Sequence, residues 1–410
     1  MNLRFTSLLA LLVVPTLLCA AEKNRFNLSD KPEKPRFKVT DKTWPQKIGE
    51  ADICLWHDDK LAALSFGVDD NQPGDIDWWK EQASKYDFKL TWFLITGRID
   101  YSRSVGFWKQ YRELSDMGHG IESHSVTHLH MTDPNWGGKA WSYAATAEAK
   151  KADPDAPKPG EPMKRTDPST LTLKPEEIAK GVEWEYVESK AQLEKNFPGK
   201  QAGALAYPGG GFTKYNDRQL AAKVYRTVRG THGSANSANA VDYMATNAQS
   251  TWDFGGEGHH PVGNVNNILE PNLYRGMFYR GWAVLFCHNI VDAMKPRMQE
   301  TFEWKQTNSD KLWVGLFADV GKYGQERDTA TLKVESPGPD KITFSLTDEM
   351  DDSYFNFPLT VKVRVPNEWQ NVAATQGSKS IAAKIIQHEG AAYALVDAVP
   401  DAGSVTITKK

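Results

Sequence analysis

"LAALSFGVDDNQPGDIDWWKEQASKYDFKLTWFLITG", residues 61–97, decides the fold. Leu61–Val68 is apolar at nearly every position, the pattern of a strand covered on both faces, and it runs into two adjacent aspartates, Asp69 and Asp70. "DIDWWKEQASKYD" (75–87) follows with helical spacing, and "LTWFLITG" (90–97) is a second apolar strand. Strand, helix, strand in that order predicts parallel pairing through a crossover helix.

Outward from this unit the rhythm continues. "FWKQYRELSDMGH" (107–119) is an amphipathic helix and "GIESH" (120–124) a short strand. Residues 131–172 interrupt the alternation; their Pro, Lys and Asp content reads as a long surface insertion. "PEEIAKGVEWEYVESKAQLEKNF" (175–197) is a helix with Pro175 in its first turn. "AGALAYPGGG" (202–211) is a strand running into a glycine-rich turn. "NDRQLAAKVYRTVRG" (216–230) reads as a helix closed by Gly230, "GWAVLFCHNI" (281–290) as a strand, and "SDKLWVGLFADVGKYGQER" (309–327) as a last helix. The class is α/β, a parallel sheet or barrel with helices outside. Beyond residue 328 apolar and polar residues alternate between turn signals, as in "FPLTVKVRVP" and "GSVTITKK". Residues 328–410 are expected to form a small antiparallel, sandwich-like β domain, separable from a domain at 51–327.

The first residues, "MNLRFTSLLALLVVPTLLCA", have a basic start, a short apolar run and small residues near Ala21. They read as a signal peptide (1–21), followed by a polar arm or linker at 22–50, and place the protein outside the cell or in the periplasm. No later run approaches a membrane span, so no membrane association of the mature chain is expected. A net charge of −3 gives no field for nucleic acid. Cys54 and Cys287 remain after cleavage; a disulfide and two separate buried thiols are both open.

In a barrel of parallel strands the C-terminal strand ends meet on one face, which carries the site. Asp69 and Asp70, His124, Pro208 with its glycines, and His288 all fall at such ends. "GHGIESHSVTHLHM" (118–131) also gathers four of the chain's 10 histidines. His124 and His128 are close enough in sequence for both rings to reach one ion, and Asp70 would add a carboxylate. Two imidazoles and a carboxylate suit a divalent cation, Zn²⁺ best, with Co or Ni as alternatives. The plain alternatives are a histidine-rich loop and, for the aspartate pair, a turn or helix cap. Two adjacent carboxylates repel; a cation relieves one, and the other stays free to take a proton from water. His288 would then protonate a leaving amine or alcohol.

S-F-G-V-D-D, H-S-x-x-H, A-Y-P-G-G and L-F-C-H, in this order over residues 60–325, resemble the polysaccharide deacetylases with the NodB homology domain, carbohydrate esterase family 4. The resemblance implies a distorted (β/α)7 barrel and metal-dependent removal of acetyl groups from a polysaccharide or oligosaccharide. By the same resemblance Asp69 is the catalytic base, Asp70, His124 and His128 hold the metal, and His288 is the general acid. Ala206-Tyr207-Pro208-Gly209-Gly210 matches the family's R-P-P-Y-G segment, with Tyr207, Pro208 and Gly209 at the substrate and the Gly209 N–H toward the oxyanion.

Two departures stand out. Ala206 occupies the place of the family's arginine, and Asn71 that of a glycine. Arg226 or Arg229, on the expected following helix, is a candidate substitute for the arginine, and the stretch around Trp252 and Asp253 for a further acidic and tryptophan motif. His119 reads as structural. His130 reads as lining the entrance, and His259 and His260 as rim or solvent-exposed residues. Trp136, Trp141 and Tyr143 in the insertion either stack on sugar or pack the insertion down. An impaired glycan-binding protein on the same fold, and a hydrolase of a small non-peptide amide, are the rival readings.

Overall fold

The computed structural model describes residues 41–128, 175–210, 217–231, 235–250, 268–269 and 281–410. The leader at 1–21, most of the arm, the whole insertion at 131–172, and His130, Trp252, Asp253, His259 and His260, with Trp136, Trp141 and Tyr143 of the insertion, lie outside the described residues.

After β1 (Ala51–Ile53), which belongs to another sheet, seven parallel strands position the site. They are β2 (Ala62–Asp69), β3 (Thr91–Leu94), β4 (Gly120–Ser123), β5 (Ala204–Ala206), β6 (Thr227–Arg229), β7 (Trp282–Cys287) and β8 (Leu312–Val314). Every residue of β2 is buried, because both of its edges and both of its faces are used. β7 takes one edge, pairing Ala63–Val68 with Trp282–Cys287. The other edge is divided: β8 pairs with Ala62–Leu64 and β3 with Gly67–Asp69. From β3 the arc continues through β4 and β5 to β6. Single parallel bridges, Arg229–Thr246 and Gln249–Leu285, then join β6 to β7 through the segment between them and close the arc into a ring.

The helices lie outside: α1 (Ile76–Lys85), α2 (Trp108–Asp116), α3 (Pro175–Asn196), α4 (Asp217–Val224), α5 (Lys295–Thr307) and α6 (Phe317–Thr329). α1 buries Ile76, Trp79 and Ala83, a helical stripe. Phe302 of α5 packs its ring 4.9 Å from Phe88 and 5.5 Å from Phe66, so α5 seals the flank of β2. Aromatic burial of this kind contributes about 1.5–3 kcal/mol per side chain.

The structure corrects two elements of the sequence reading. The helix expected over 216–230 ends at Val224, and Thr227–Arg229 is strand β6. The Tyr225 ring is buried and its hydroxyl donates to Tyr186 O at 2.9 Å, while the Arg226 N–H turns to the Gly203 carbonyl. This stops the helix and lays down a β-branched strand. The helix expected over 309–327 divides into β8 and α6 at Gly315, whose N–H donates to Leu64 O. A Cβ at Gly315 would meet the Val320 side chain at 2.7 Å. α5 had no sequence reading of its own.

The remaining strands are β9 (Thr331–Pro337), β10 (Lys341–Thr347), β11 (Leu359–Val365), β12 (Val372–Gln376), β13 (Lys379–Ile381), β14 (Ala383–His388), β15 (Ala391–Ala398) and β16 (Val405–Lys409). They form two antiparallel sheets, β1-β11-β15-β14 and β13-β12-β16-β10-β9. β1, placed with the barrel by sequence order, is thus an edge strand of the C-terminal region, with Ala51 opposite Val363. One apolar cluster runs from barrel residues Phe93, Trp282 and Phe317 through Val320 and Tyr323 of α6 to Val361, Val365 and Ile407. That continuity opposes the expected separability. Cys54 and Cys287 are both buried thiols and form no disulfide with each other.

Candidate active site

β2 ends at Asp69, and the chain then runs through three consecutive left-handed residues, Asp70 (φ 63), Asn71 (φ 71) and Gln72 (φ 40). Side chains alternate along a strand, so two neighbours share a face only where the backbone turns in this way. Here Asp70 Oδ1 and Asp69 Oδ2 lie 3.5 and 3.9 Å from the same atom, His124 Nε2. Asn71 explains itself: asparagine tolerates positive φ better than most residues. Its buried side chain also accepts the Ile95 N–H at 2.7 Å and donates to Val105 O at 3.1 Å, holding the turn to the loop after β3.

His124 follows β4. Its Nδ1 is 2.8 Å from the Ala206 carbonyl, and a carbonyl can only accept, so that nitrogen carries the proton and the Nε2 lone pair faces the aspartates. Burial drives its pKa down to about 4, keeping the ring neutral. His128 Nε2 lies 3.4 Å from Asp70 Oδ1, and the two imidazoles meet edge to face at 4.7 Å. His288, just beyond β7, brings its Nε2 to 4.0 Å from Asp70 Oδ2 and is about a third exposed, at the mouth. Asp75 ties down the next turn of that segment, its Oδ2 accepting the Ile290 N–H at 2.8 Å.

Asp69 is buried, and burial alone would raise its carboxyl pKa. The Arg229 guanidinium, with His124 and His288 behind it, outweighs this and holds it below the ordinary value. Arg229 Nη2 donates directly to Asp69 Oδ1. The guanidinium is itself fully buried, 4.1 Å from the Phe286 ring centroid and 4.6 Å from that of Phe93. Ala206 and Arg229 are register partners on β5 and β6. An arginine on either strand therefore leaves the sheet on the same face. Arg226, the other sequence candidate, donates to the Ala222 and Tyr225 carbonyls instead.

The structure thus brings Asp69, Asp70, His124, His128 and His288 together. Pro208 is buried and Gly209 exposed on a tight turn after β5, with φ 68 at Gly209. The Tyr207 side chain does not join them: its phenol is buried in the core and donates to Met244 O at 3.0 Å. Tyr207 as a substrate-contacting side chain is therefore withdrawn. His119 is buried, accepting the Leu90 N–H at its Nδ1, in keeping with a structural role. Glu185 was not singled out. Its signal was a carboxylate on the buried stripe Val182, Tyr186, Ser189 of α3.

Residues 68–228 match the family model for polysaccharide deacetylase. The chain is 32% identical over 408 residues to a gellan lyase from a Bacillus species, covering 95% of this chain and 14% of that protein. Among solved structures it is similar to a Streptococcus pyogenes deacetylase in complex with acetate, with 21% identity over 45% of this chain and 62% of that one, TM-score 0.31. It is also similar to a family 4 acetyl xylan esterase from Clostridium thermocellum in complex with a cobalt ion, with 11% identity over 63% of this chain and 89% of that one, TM-score 0.35. With the match spanning the aspartate pair, the histidine motif and β5, residues 68–228 are a polysaccharide deacetylase domain of the NodB homology type, carbohydrate esterase family 4.

Proposed function

We propose that this protein is a secreted or periplasmic, metal-dependent hydrolase that removes acetyl groups from a polysaccharide or oligosaccharide. The observation that carries the reading is the convergence of Asp69, Asp70, His124, His128 and His288 from three strand ends. Asp70, His124 and His128 fit a divalent cation: one donor atom of each lies within 4.8 Å of the others. Buried Asp70 Oδ1 takes no hydrogen bond although both Nε2 atoms are near, an arrangement that suits a shared cation better than mutual bonding. A divalent ion there, Zn²⁺ best by its donor set, supplies Lewis acidity toward the acetyl carbonyl and toward water.

The chain's own residues do the rest. Asp69, kept ionised and aimed by Arg229, takes the proton of the attacking water. Gly209, exposed on its turn, is the candidate donor of an N–H to the developing oxyanion. His288, at the mouth, gives a proton to the departing sugar nitrogen or oxygen, and acetate leaves. The rival reading of an impaired binding protein leaned on Ala206, and the Arg229–Asp69 pair weakens it. The similarity to a gellan lyase and the leader-like first residues favour an extracellular glycan over a small amide.

The test is acetate release from chitooligosaccharides, peptidoglycan and acetylated xylan, with Zn²⁺, Co²⁺ or Ni²⁺ supplied. Asp69→Asn and His288→Ala should keep native metal content and lose at least about a hundredfold in rate, the scale for removing a general base or acid. His128→Ala should lose most of the ion with its fold intact. A native protein that releases no acetate from any of these glycans with any of these metals would overturn the reading.

A further inference from the structure

Between His124 and His128 the chain turns on two non-glycine residues in the left-handed region, Ser125 (φ 62) and His128 itself (φ 61). Each such residue costs about 1–2 kcal/mol and persists only where its surroundings over-determine it. The determinant comes from α3. Glu185 is 1% exposed, and its Oε2 accepts the backbone N–H of both Val126 and Thr127, each at 2.8 Å. Its Oε1 accepts the Thr127 hydroxyl at 2.6 Å. The carbonyls of the same turn are also taken: Ser125 O by the Thr96 N–H, Val126 O by the Gly97 N–H and Thr127 O by Arg98 Nη2. The Ser125 hydroxyl accepts the His128 N–H at 3.1 Å.

We infer that Glu185 is a positioning residue for the metal site, setting the His128 imidazole against Asp70 by clamping the two residues in front of it. The inference rests on reading Asp70, His124 and His128 as the metal triad. The Val126 and Thr127 N–H groups and the Thr127 hydroxyl all donate to Glu185, which calls for an acceptor with two oxygens, and a carboxylate makes the stronger, charge-assisted bonds. A glutamine keeps one carbonyl oxygen for the two N–H groups, and the Thr127 hydroxyl can rotate to accept from its amide. Leucine keeps nothing. Loosening the turn lets His128 leave its left-handed geometry, and the triad loses one arm.

The experiment is isothermal titration of the metal-free full chain with Zn²⁺ and with Co²⁺, alongside thermal melts of the same metal-free samples. Glu185→Leu should weaken metal binding at least about tenfold, the usual scale for loss of a group that orients a ligand. Glu185→Gln and Thr127→Val should fall between it and native. Leu193→Ala, buried on the same helix but away from the loop, should lower the melting temperature without moving the metal Kd. If Glu185→Leu does not fold, the weakening expected of Glu185→Gln and of Thr127→Val relative to native carries the test. Native affinity in the Glu185 variants, or a Kd that rises only in step with the fall in melting temperature across all variants including Leu193→Ala, would overturn the inference. A native protein that takes up neither metal overturns the triad reading, and the inference with it.

Discussion

With Arg229 removed, Asp69 would lose its guanidinium partner while remaining buried, with the His124 and His288 imidazoles near it. Breaking a buried pair from one side costs about 3–5 kcal/mol. Arg229→Ala should therefore lower stability by that order in chemical denaturation and cut acetate release at least about a hundredfold. Ala206→Arg added to Arg229→Ala should recover part of both, since the two positions face each other in register. No recovery in the double variant would show that β6 alone can present the guanidinium. The aspartates and histidines were legible in sequence because their identities and spacing are themselves the chemistry. Arg229 was only half legible. It was named as a candidate, but on a helix, where residues 226 and 229 share a face and neither is singled out; on a strand they point to opposite faces. The Tyr207 phenol was misread because a motif says which residue is present and not which way an aromatic ring turns.

Elements follow the same logic of length. β2 and α3 are long enough for their period to show, whereas β6 and β8 are three residues each, too short for alternation to be seen. Two predictions belong here. Gly210 on the turn after β5 has φ 78, and a Cβ there would sit 1.8 Å from Thr231 Oγ1. Gly210→Ala should cost about 1–3 kcal/mol in an unfolding titration. The second concerns α6. Glu326 is buried, and desolvation, with Asp348 nearby, raises its pKa to about 9 from an ordinary 4.5. A carboxyl raised in the folded state stabilises below its unfolded value, and that contribution is lost as pH climbs toward 9. His119, lowered to about 4, works the opposite way below its ordinary 6.5, so pH 7–9 leaves the raised carboxyls, Glu326 and the buried Glu122 at about 8, and only the Glu326 share is removed by substitution there. Melting temperature should fall across that window, and Glu326→Gln should flatten the fall; parallel curves for the two proteins would refute the assignment.

At the scale of the molecule, the barrel and the C-terminal sheets share one apolar cluster, stitched by polar contacts from α6. The Tyr323 hydroxyl donates to Cys54 O at 2.7 Å, and Arg327 donates to Leu55 O and Ala238 O at 2.6 Å each. A chain shortened to end at Glu326 would expose Val320, Tyr323 and Trp56 to water. It should aggregate or unfold at physiological temperature, measured by light scattering; a soluble, cooperatively melting product would show that the barrel stands alone. The change from helical to alternating pattern near residue 328 was visible in sequence. The shared core was not, because burial between two elements leaves no mark that burial within one does not leave as well.

The pairing of β1 with β11 has a consequence for the order in which the chain is made. Ala51–Ile53 is synthesised long before Leu359–Val365, its only strand partner among the described residues. Contacts this distant along the chain form late, after nearer ones have closed. During synthesis the strand Ala51–Ile53 thus has no strand to pair with until Leu359–Val365 has been made. A nascent chain halted before residue 359 should leave Ala51–Ile53 open to protease and chaperone, and one carrying residues through 410 should protect them.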